Sequence, residues 1–99
     1  MYVKLNTREV EVTIPNKHGL HARPATRFVQ LASKYESNIE VIKDNIVADG
    51  KSVTSMLTLN ATKGTSLKIR ATGPDADKAV EELAALVESG FGENDQKDG

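Results

Sequence analysis

Near the amino end of the chain, His21 and Arg23 stand two residues apart, with His18 just before them. A neutral imidazole is a nucleophile, and a planar guanidinium binds phosphate oxygens through paired donors. His21 lies where a loop is predicted to end and a helix to begin. The first N–H groups of a helix have no intrahelical acceptors and carry partial positive charge, so a phosphoryl group on His21 would find donors beside it. These residue types indicate a histidine that can hold phosphate.

Other interpretations of the same residues stay open at this point. A single histidine near the start of a helix is often only polar loop, and we interpret His18 in that way. His18 and His21 are three residues apart, but the chain has no cysteine and no acidic residue is nearby in sequence, so we predict no metal site. Gly19 gives the loop conformational freedom, and Pro24 is tolerated in the first turn of a helix.

The spacing of apolar residues predicts seven elements that must position these side chains. Strict alternation predicts strands, and a spacing of three or four predicts helices. The predicted strands cover residues 9–14, 39–42, 46–48 and 66–72, and the predicted helices cover 22–36, a short segment after Ser52 and a longer one after Asp75. One-sided strands mixed with amphipathic helices predict an α+β domain, with a largely antiparallel sheet covered by helices on one face.

Capping signals predict where the helices begin and end. Ser52 and Asp75 are predicted N-caps, because their side-chain oxygens can accept hydrogen bonds from the first helical turn. Gly90 is predicted to end the last helix as its C′ residue, with Phe91 as the apolar contact that follows. We predict a single domain over residues 1–99, with a core of about 8–91 and frayed ends at 1–7 and 92–99.

Composition argues against several classes of function. Thirteen basic and fourteen acidic residues give a net charge of −1, and only four residues are aromatic, so we predict no nucleic-acid binding. The absence of cysteine excludes disulfides and thiol chemistry. No apolar run reaches the ~18 residues of a membrane span, and the first residues lack the apolar region of a signal peptide. We therefore expect a cytoplasmic protein that does not insert into membranes, and a monomer.

Residues 18–25, which read His-Gly-Leu-His-Ala-Arg-Pro-Ala, resemble the active-site signature of the histidine-containing phosphocarrier (HPr) family of the phosphoenolpyruvate-dependent phosphotransferase system. The resemblance implies an HPr-like open-faced β-sandwich, a four-stranded antiparallel sheet with three helices on one face. It also implies that Enzyme I donates a phosphoryl group to Nδ1 of His21, that Arg23 helps to neutralise it, and that a IIA domain or protein receives it for sugar uptake. Such a carrier needs no cofactor and no metal, and it forms a covalent phosphohistidine rather than turning over a small substrate.

A second match, Gly50-Lys51-Ser52-Val53, resembles the family's regulatory serine segment. The resemblance implies phosphorylation of Ser52 by an HPr kinase/phosphorylase, and a regulator that binds the phosphorylated form. It also implies a docking surface that includes Thr26, Val53 and Leu57. Gln30, Ser33 and Ser55 stand where relatives often have lysine, so the positive field would come instead from Lys17, Arg27, Lys34 and Lys51.

Two alternatives to sugar transport follow from the same resemblance. The paralogous nitrogen-branch carrier, NPr, has the same chemistry but regulatory partners, and the Ser89-Gly90-Phe91 ending leaves it open. A non-catalytic regulatory module acting through the Ser52 face is the alternative of a different class. The presence of a nucleophile at His21 argues against that module as the sole function.

Overall fold

The computed structural model describes residues 6–93, and it contains the seven elements in the predicted order. They are β1 (Asn6–Thr13), α1 (Ala22–Ala32), β2 (Asn38–Lys43), β3 (Ile46–Asp49), α2 (Val53–Leu57), β4 (Ser66–Gly73) and α3 (Ala76–Glu88). Each predicted strand is present within a few residues of its predicted bounds, because period-two alternation is a property of the local sequence.

The four strands form one antiparallel sheet in the order β1-β4-β2-β3. Alternate residues of β4 are buried, among them Leu67 and Ile69, and they join the buried residues of all three helices in one apolar core. The opposite face is charged: the Arg70 guanidinium contacts Glu40 at 2.9 Å and Glu9 at 3.3 Å. The hydrogen bond that the Arg70 guanidinium donates to Glu40 is the main cause that raises the pKa of Arg70. These features confirm the predicted α+β fold, with helices on one face of the sheet.

Helix α1 is shorter than the sequence predicts, because it ends at Ala32 rather than near residue 36. Tyr35 is buried at the spacing expected of a helix, but it lies in the turns that follow. Tyr35 is buried by tertiary packing. The apolar spacing therefore continues past the end of the helix, and this made the predicted helix too long.

Asp75 occupies the N-cap position of α3, but the prediction that its side chain caps that helix is wrong. The carboxylate accepts hydrogen bonds from the backbone N–H groups of Glu36 and Ser37, at 2.9 and 3.0 Å, and from the Ser37 hydroxyl. The Ser37 hydroxyl is the largest influence that lowers the pKa of Asp75. The side chain therefore ties the turn after α1 to the start of α3, which is a contact across 38 residues.

Residues on both sides of the predicted core of 8–91 take part in the fold. Asn6 and Thr7 belong to β1, where they pair with Gly73 and Thr72 of β4. Glu93 packs against the loop before α1, as described below. The rest of the segments predicted to be frayed, 1–5 and 94–99, lies outside the described residues.

The C-terminal end of α3 has the predicted cap. Gly90 has a φ of +77°, its N–H donates to the carbonyl of Val87 at 2.9 Å, and the N–H of Phe91 donates to the carbonyl of Leu86 at 2.8 Å. These two bonds form a Schellman motif, and Phe91 is buried in the core. The cap directs the chain after α3 towards the loop that carries His21.

Candidate functional site

His21 is the N-cap residue of α1, but its imidazole does not cap the helix. Its backbone is extended, with φ −90° and ψ −171°, and its carbonyl accepts the first helical hydrogen bond from the N–H of Ala25 at 3.0 Å. The side chain is 41% exposed. The backbone of His21 therefore starts the helix, while its ring remains available for chemistry.

The loop before His21 depends on a glycine. Gly19 has a φ of +69°, and its neighbour Leu20 donates to the carbonyl of Ala61 at 2.8 Å. A Cβ on Gly19 would lie 2.5 Å from that carbonyl oxygen and 2.9 Å from Cα of Thr62. Only glycine fits both the backbone angle and this close approach, and the approach sets where the loop delivers His21 to the helix.

His21 lies in a shallow open cavity that is lined by His18, Ala22, Arg23 and Glu93 as well. His18 is exposed, as expected of loop, and its ring stands edge-on to the ring of His21 with centroids 6.1 Å apart. Arg23 is exposed, and its guanidinium makes no hydrogen bond or ion pair with the residues that the structure describes. The structure thus brings His21 and Arg23 together on one surface.

Glu93 is the residue of this cavity that sequence reasoning missed. Its side chain is only 8% exposed, with Oε2 lying 3.1 Å from Nε2 of His21 and Oε1 accepting a hydrogen bond from Nδ2 of Asn16 at 3.0 Å. Asn16 is buried and also donates to the carbonyl of Gly19 at 2.6 Å. Glu93 fell in the segment predicted to be frayed. The one sequence signal for its position was the Gly90-Phe91 cap, which lies just before Glu93 and sets the direction of the chain there.

The second predicted segment lies around the start of α2. The Ser52 hydroxyl accepts a hydrogen bond from the N–H of Ser55 at 3.2 Å, which confirms the predicted N-cap. Val53 is half-buried against the core, and Leu57 is 39% exposed at the end of the helix. Thr26 is exposed on α1, which packs against α2, and its hydroxyl donates to the carbonyl of Ala22.

Two cations expected to supply a positive field around His21 have structural contacts. Nη1 of Arg27 donates to the carbonyl of Phe91 at 2.7 Å, and Nζ of Lys51 donates to the carbonyl of Tyr35 at 2.7 Å. Arg27 therefore ties α1 to the segment after α3, and Lys51 ties the segment before α2 to the turns after α1.

Within residues 6–93, no group of three or more His, Cys, Asp or Glu side chains could hold a metal ion. No helix in the same range has both the length and the apolar character to cross a membrane.

Comparisons with known proteins agree with this fold. The family model described as "PTS HPr component phosphorylation site" matches residues 8–89. The phosphocarrier protein HPr of Vibrio cholerae is 42% identical over 81 residues, which cover 82% of this chain and 93% of that protein. The phosphocarrier protein NPr of Shewanella violacea is 39% identical over 85 residues, which cover 86% and 93%.

A solved structure shows the same architecture. The crystal structure of HPr-C-His from Thermoanaerobacter tengcongensis superposes with a TM-score of 0.84 at 46% sequence identity, covering 88% of this chain and 98% of that one. The matched range contains every element from β1 to α3 except the first two residues of β1. The chain therefore belongs to the HPr family, the phosphocarrier proteins of the phosphotransferase system.

Proposed function

We propose that this protein accepts a phosphoryl group on His21 from phosphorylated Enzyme I and passes it to a IIA domain or protein during sugar uptake. The observation that supports this most directly is the half-exposed His21 ring at the N-terminus of an 11-residue helix, with Arg23 in the same cavity. Membership of the HPr family supports the reaction type and partners from the phosphotransferase system.

The start of α1 supplies donors for the phosphoryl group. The N–H of Ala25 is bound to the carbonyl of His21, and Pro24 has no N–H. The N–H groups of Ala22 and Arg23 have no acceptor among residues 6–93, so they can bind a ligand. These N–H groups lie at the positive end of the helix dipole, which stabilises an anion by about 0.3–1 kcal/mol at an exposed site. The Arg23 guanidinium, which has no partner among residues 6–93, adds a charge-assisted contact to the phosphoryl oxygens.

Transfer to this site is a displacement between two imidazoles. A lone pair of the His21 ring attacks phosphorus while the bond between phosphorus and the donor's nitrogen breaks, and its electron pair returns to the donor ring. Arg23 and the two N–H groups hold the equatorial oxygens, and no nucleotide or metal takes part in the step. Onward transfer is the same displacement with His21 as the leaving group.

The proposal is tested by incubating the protein with purified Enzyme I and radiolabelled phosphoenolpyruvate. We expect one acid-labile, alkali-stable phosphoryl group per chain in the wild type, none in His21→Ala, and one in His18→Ala. His18 is the matched control because it is the other histidine of the same cavity. Labelling of His21→Ala at the wild-type level would refute the assignment.

Ser52 is proposed as a regulatory phosphorylation site for an HPr kinase/phosphorylase. Its hydroxyl oxygen already accepts from the first turn of α2, and a phosphate carrying a charge of about −2 suits a helix N-terminus. The added charge would alter a docking surface that we propose for Enzyme I, made of Thr26, Val53 and Leu57, and would create the form that a regulator binds. Slower phosphorylation of His21 after modification of Ser52 is the expected result, and equal rates would refute it.

The nitrogen-branch carrier is the second candidate, because the NPr of Shewanella violacea and the HPr of Vibrio cholerae resemble this chain to nearly the same degree. Phosphorylation rates with each Enzyme I paralogue separate the two, and faster transfer from the nitrogen-branch donor would overturn the assignment to sugar uptake. A purely regulatory module acting through the Ser52 face is the third candidate, and full activity of Ser52→Ala in phosphoryl transfer would argue against it. A cytoplasmic, monomeric protein remains part of the proposal.

A further inference from the structure

Glu93 approaches the side of the His21 ring that is not exposed. Nε2 is buried and lies 3.1 Å from Oε2 of Glu93, yet it has no aligned hydrogen bond with any residue that the structure describes. Since the side chain as a whole is 41% exposed, its accessible part is the remainder of the ring, away from the carboxylate. A buried polar nitrogen beside a buried carboxylate indicates a pair that closes into a hydrogen bond by a small rotation of either side chain.

The carboxylate is held from several directions. Its other oxygen accepts from the amide of Asn16, which is itself 1% exposed. The backbone N–H of Glu93 donates to the carbonyl of Gly90 at 3.0 Å, and Arg27 binds the carbonyl of Phe91 at 2.7 Å. These contacts fix the segment that ends in Glu93 against the loop before α1. The carboxylate therefore keeps its position without help from His21.

We propose that Glu93 is a positioning residue for phosphoryl transfer, which holds the proton of the neutral His21 ring on Nε2 and leaves the lone pair of Nδ1 free for phosphorus. A carboxylate is an acceptor, so it favours the tautomer with N–H facing it, and the bond made by one ring nitrogen decides the state of the other. The inference rests on the proposed function of His21, and it adds the residue that selects which nitrogen reacts.

The same contact stabilises the product. When Nδ1 forms its bond to phosphorus, the bond between phosphorus and the donor ring breaks and that electron pair stays with the donor. No proton leaves His21, so the ring keeps its N–H at Nε2 and becomes a positively charged imidazolium. Glu93 then faces a cation rather than a neutral ring, which strengthens the contact as the charge develops. On transfer to the acceptor the electron pair returns to Nδ1 and the ring is neutral again.

The first test measures the tautomer and needs no partner protein. Nitrogen-15 NMR of the unphosphorylated chain is recorded at about two pH units above the reference histidine pKa of about 6.5, where imidazole is neutral. We expect the Nε2–H form to dominate at His21 in the wild type and in Glu82→Gln, an exposed control on α3. In Glu93→Gln and Glu93→Ala we expect a clear shift towards a mixture, while His18 stays unchanged as the internal reference.

The second test measures the rate of phosphoryl transfer from Enzyme I. Neutralising the carboxylate in Glu93→Gln keeps the size of the side chain, so the expected loss of about tenfold relative to Glu82→Gln, or about 1.4 kcal/mol, reports on charge rather than packing. His18 and Arg23 also line the cavity, and neither is changed. An unaltered tautomer in Glu93→Gln, or a rate within twofold of the control, would overturn the proposal. Failure of His21 itself to take up phosphate would instead refute the proposed function, since the tautomer measurement does not depend on it.

Discussion

Two features of the structure require glycine at position 19, namely a positive φ and a close contact with the backbone of Ala61. Comparing Gly19→Ala with Gly64→Ala separates their effects on stability. Gly19 and Gly64 both have positive φ values, +69° and +88°, in which a residue with a Cβ is strained by about 1–2 kcal/mol. At Gly64 nothing lies within 4 Å of the added Cβ, so Gly64→Ala carries the backbone strain alone. At Gly19 the Cβ would lie 2.5 Å from the carbonyl oxygen of Ala61, which adds about 1–3 kcal/mol of overpacking.

We therefore expect Gly64→Ala to lower the free energy of unfolding by about 1–2 kcal/mol and Gly19→Ala by about 2–5 kcal/mol. Urea unfolding followed by far-ultraviolet circular dichroism measures both values. The clash falls on the carbonyl that binds Leu20, so Gly19→Ala should also displace His21 and slow its phosphorylation at temperatures where the variant is folded. Gly64→Ala should keep the wild-type rate. Equal stability of the two variants would refute the claim that the close approach to Ala61 requires glycine.

Three further predictions concern single side chains. The pKa of Asp75 is lower in the folded protein than its ordinary value of 3.8. The ionised carboxylate therefore stabilises the fold above pH 3.8, and this stabilisation is lost as the pH falls through the lower pKa of the folded state. Asp75→Asn should remove that part of the acid dependence in urea titrations below pH 4, and an unchanged profile contradicts it. Ser52→Ala should lower the unfolding free energy by about 1 kcal/mol through the lost cap of α2, and no change in urea unfolding contradicts it. Arg23→Gln should slow phosphoryl transfer to His21 by about tenfold, or about 1.4 kcal/mol. Thermal stability should not change, because the guanidinium has no partner among residues 6–93. A variant as fast as the wild type contradicts that role.

Most of the architecture could be predicted because it is encoded in local patterns. Val12, Leu67 and Ile69 alternate with polar neighbours, and all three are buried on the helix side of the sheet. The Gly90-Phe91 cap is likewise local, since its two hydrogen bonds join residues three and five positions apart. The antiparallel sheet and its helical cover follow from such short-range signals.

The features that sequence reasoning missed depend on contacts between distant parts of the chain. Asp75 looked like a helix cap, but the turn after α1 presents two N–H groups and a hydroxyl that bind its carboxylate better. Glu93 looked like a polar tail residue, but Asn16, 77 positions earlier, donates a hydrogen bond to its carboxylate beside His21. Neither choice leaves a periodic signal, because each depends on where the fold brings remote segments together.

The candidate site likewise combines local features with a contact from a distant part of the chain. The run around His21 and Arg23 indicated a phosphate-holding imidazole from local sequence, and the structure brings both side chains to one cavity. Nε2 of His21 is buried beside Glu93, which the local sequence around His21 does not contain. The placement of the two motif side chains was therefore predictable, whereas the placement of Glu93 beside the ring was not.

The transfer of phosphate to Nδ1 of His21 can be measured by NMR of the protein after phosphorylation by Enzyme I and phosphoenolpyruvate. Phosphorus-31 and nitrogen-15 spectra report which atom carries the phosphoryl group. We expect one phosphoramidate signal, coupled to Nδ1 of His21, that disappears in His21→Ala. A phosphoryl group on any other residue, or on Nε2 of His21, would refute the proposed transfer.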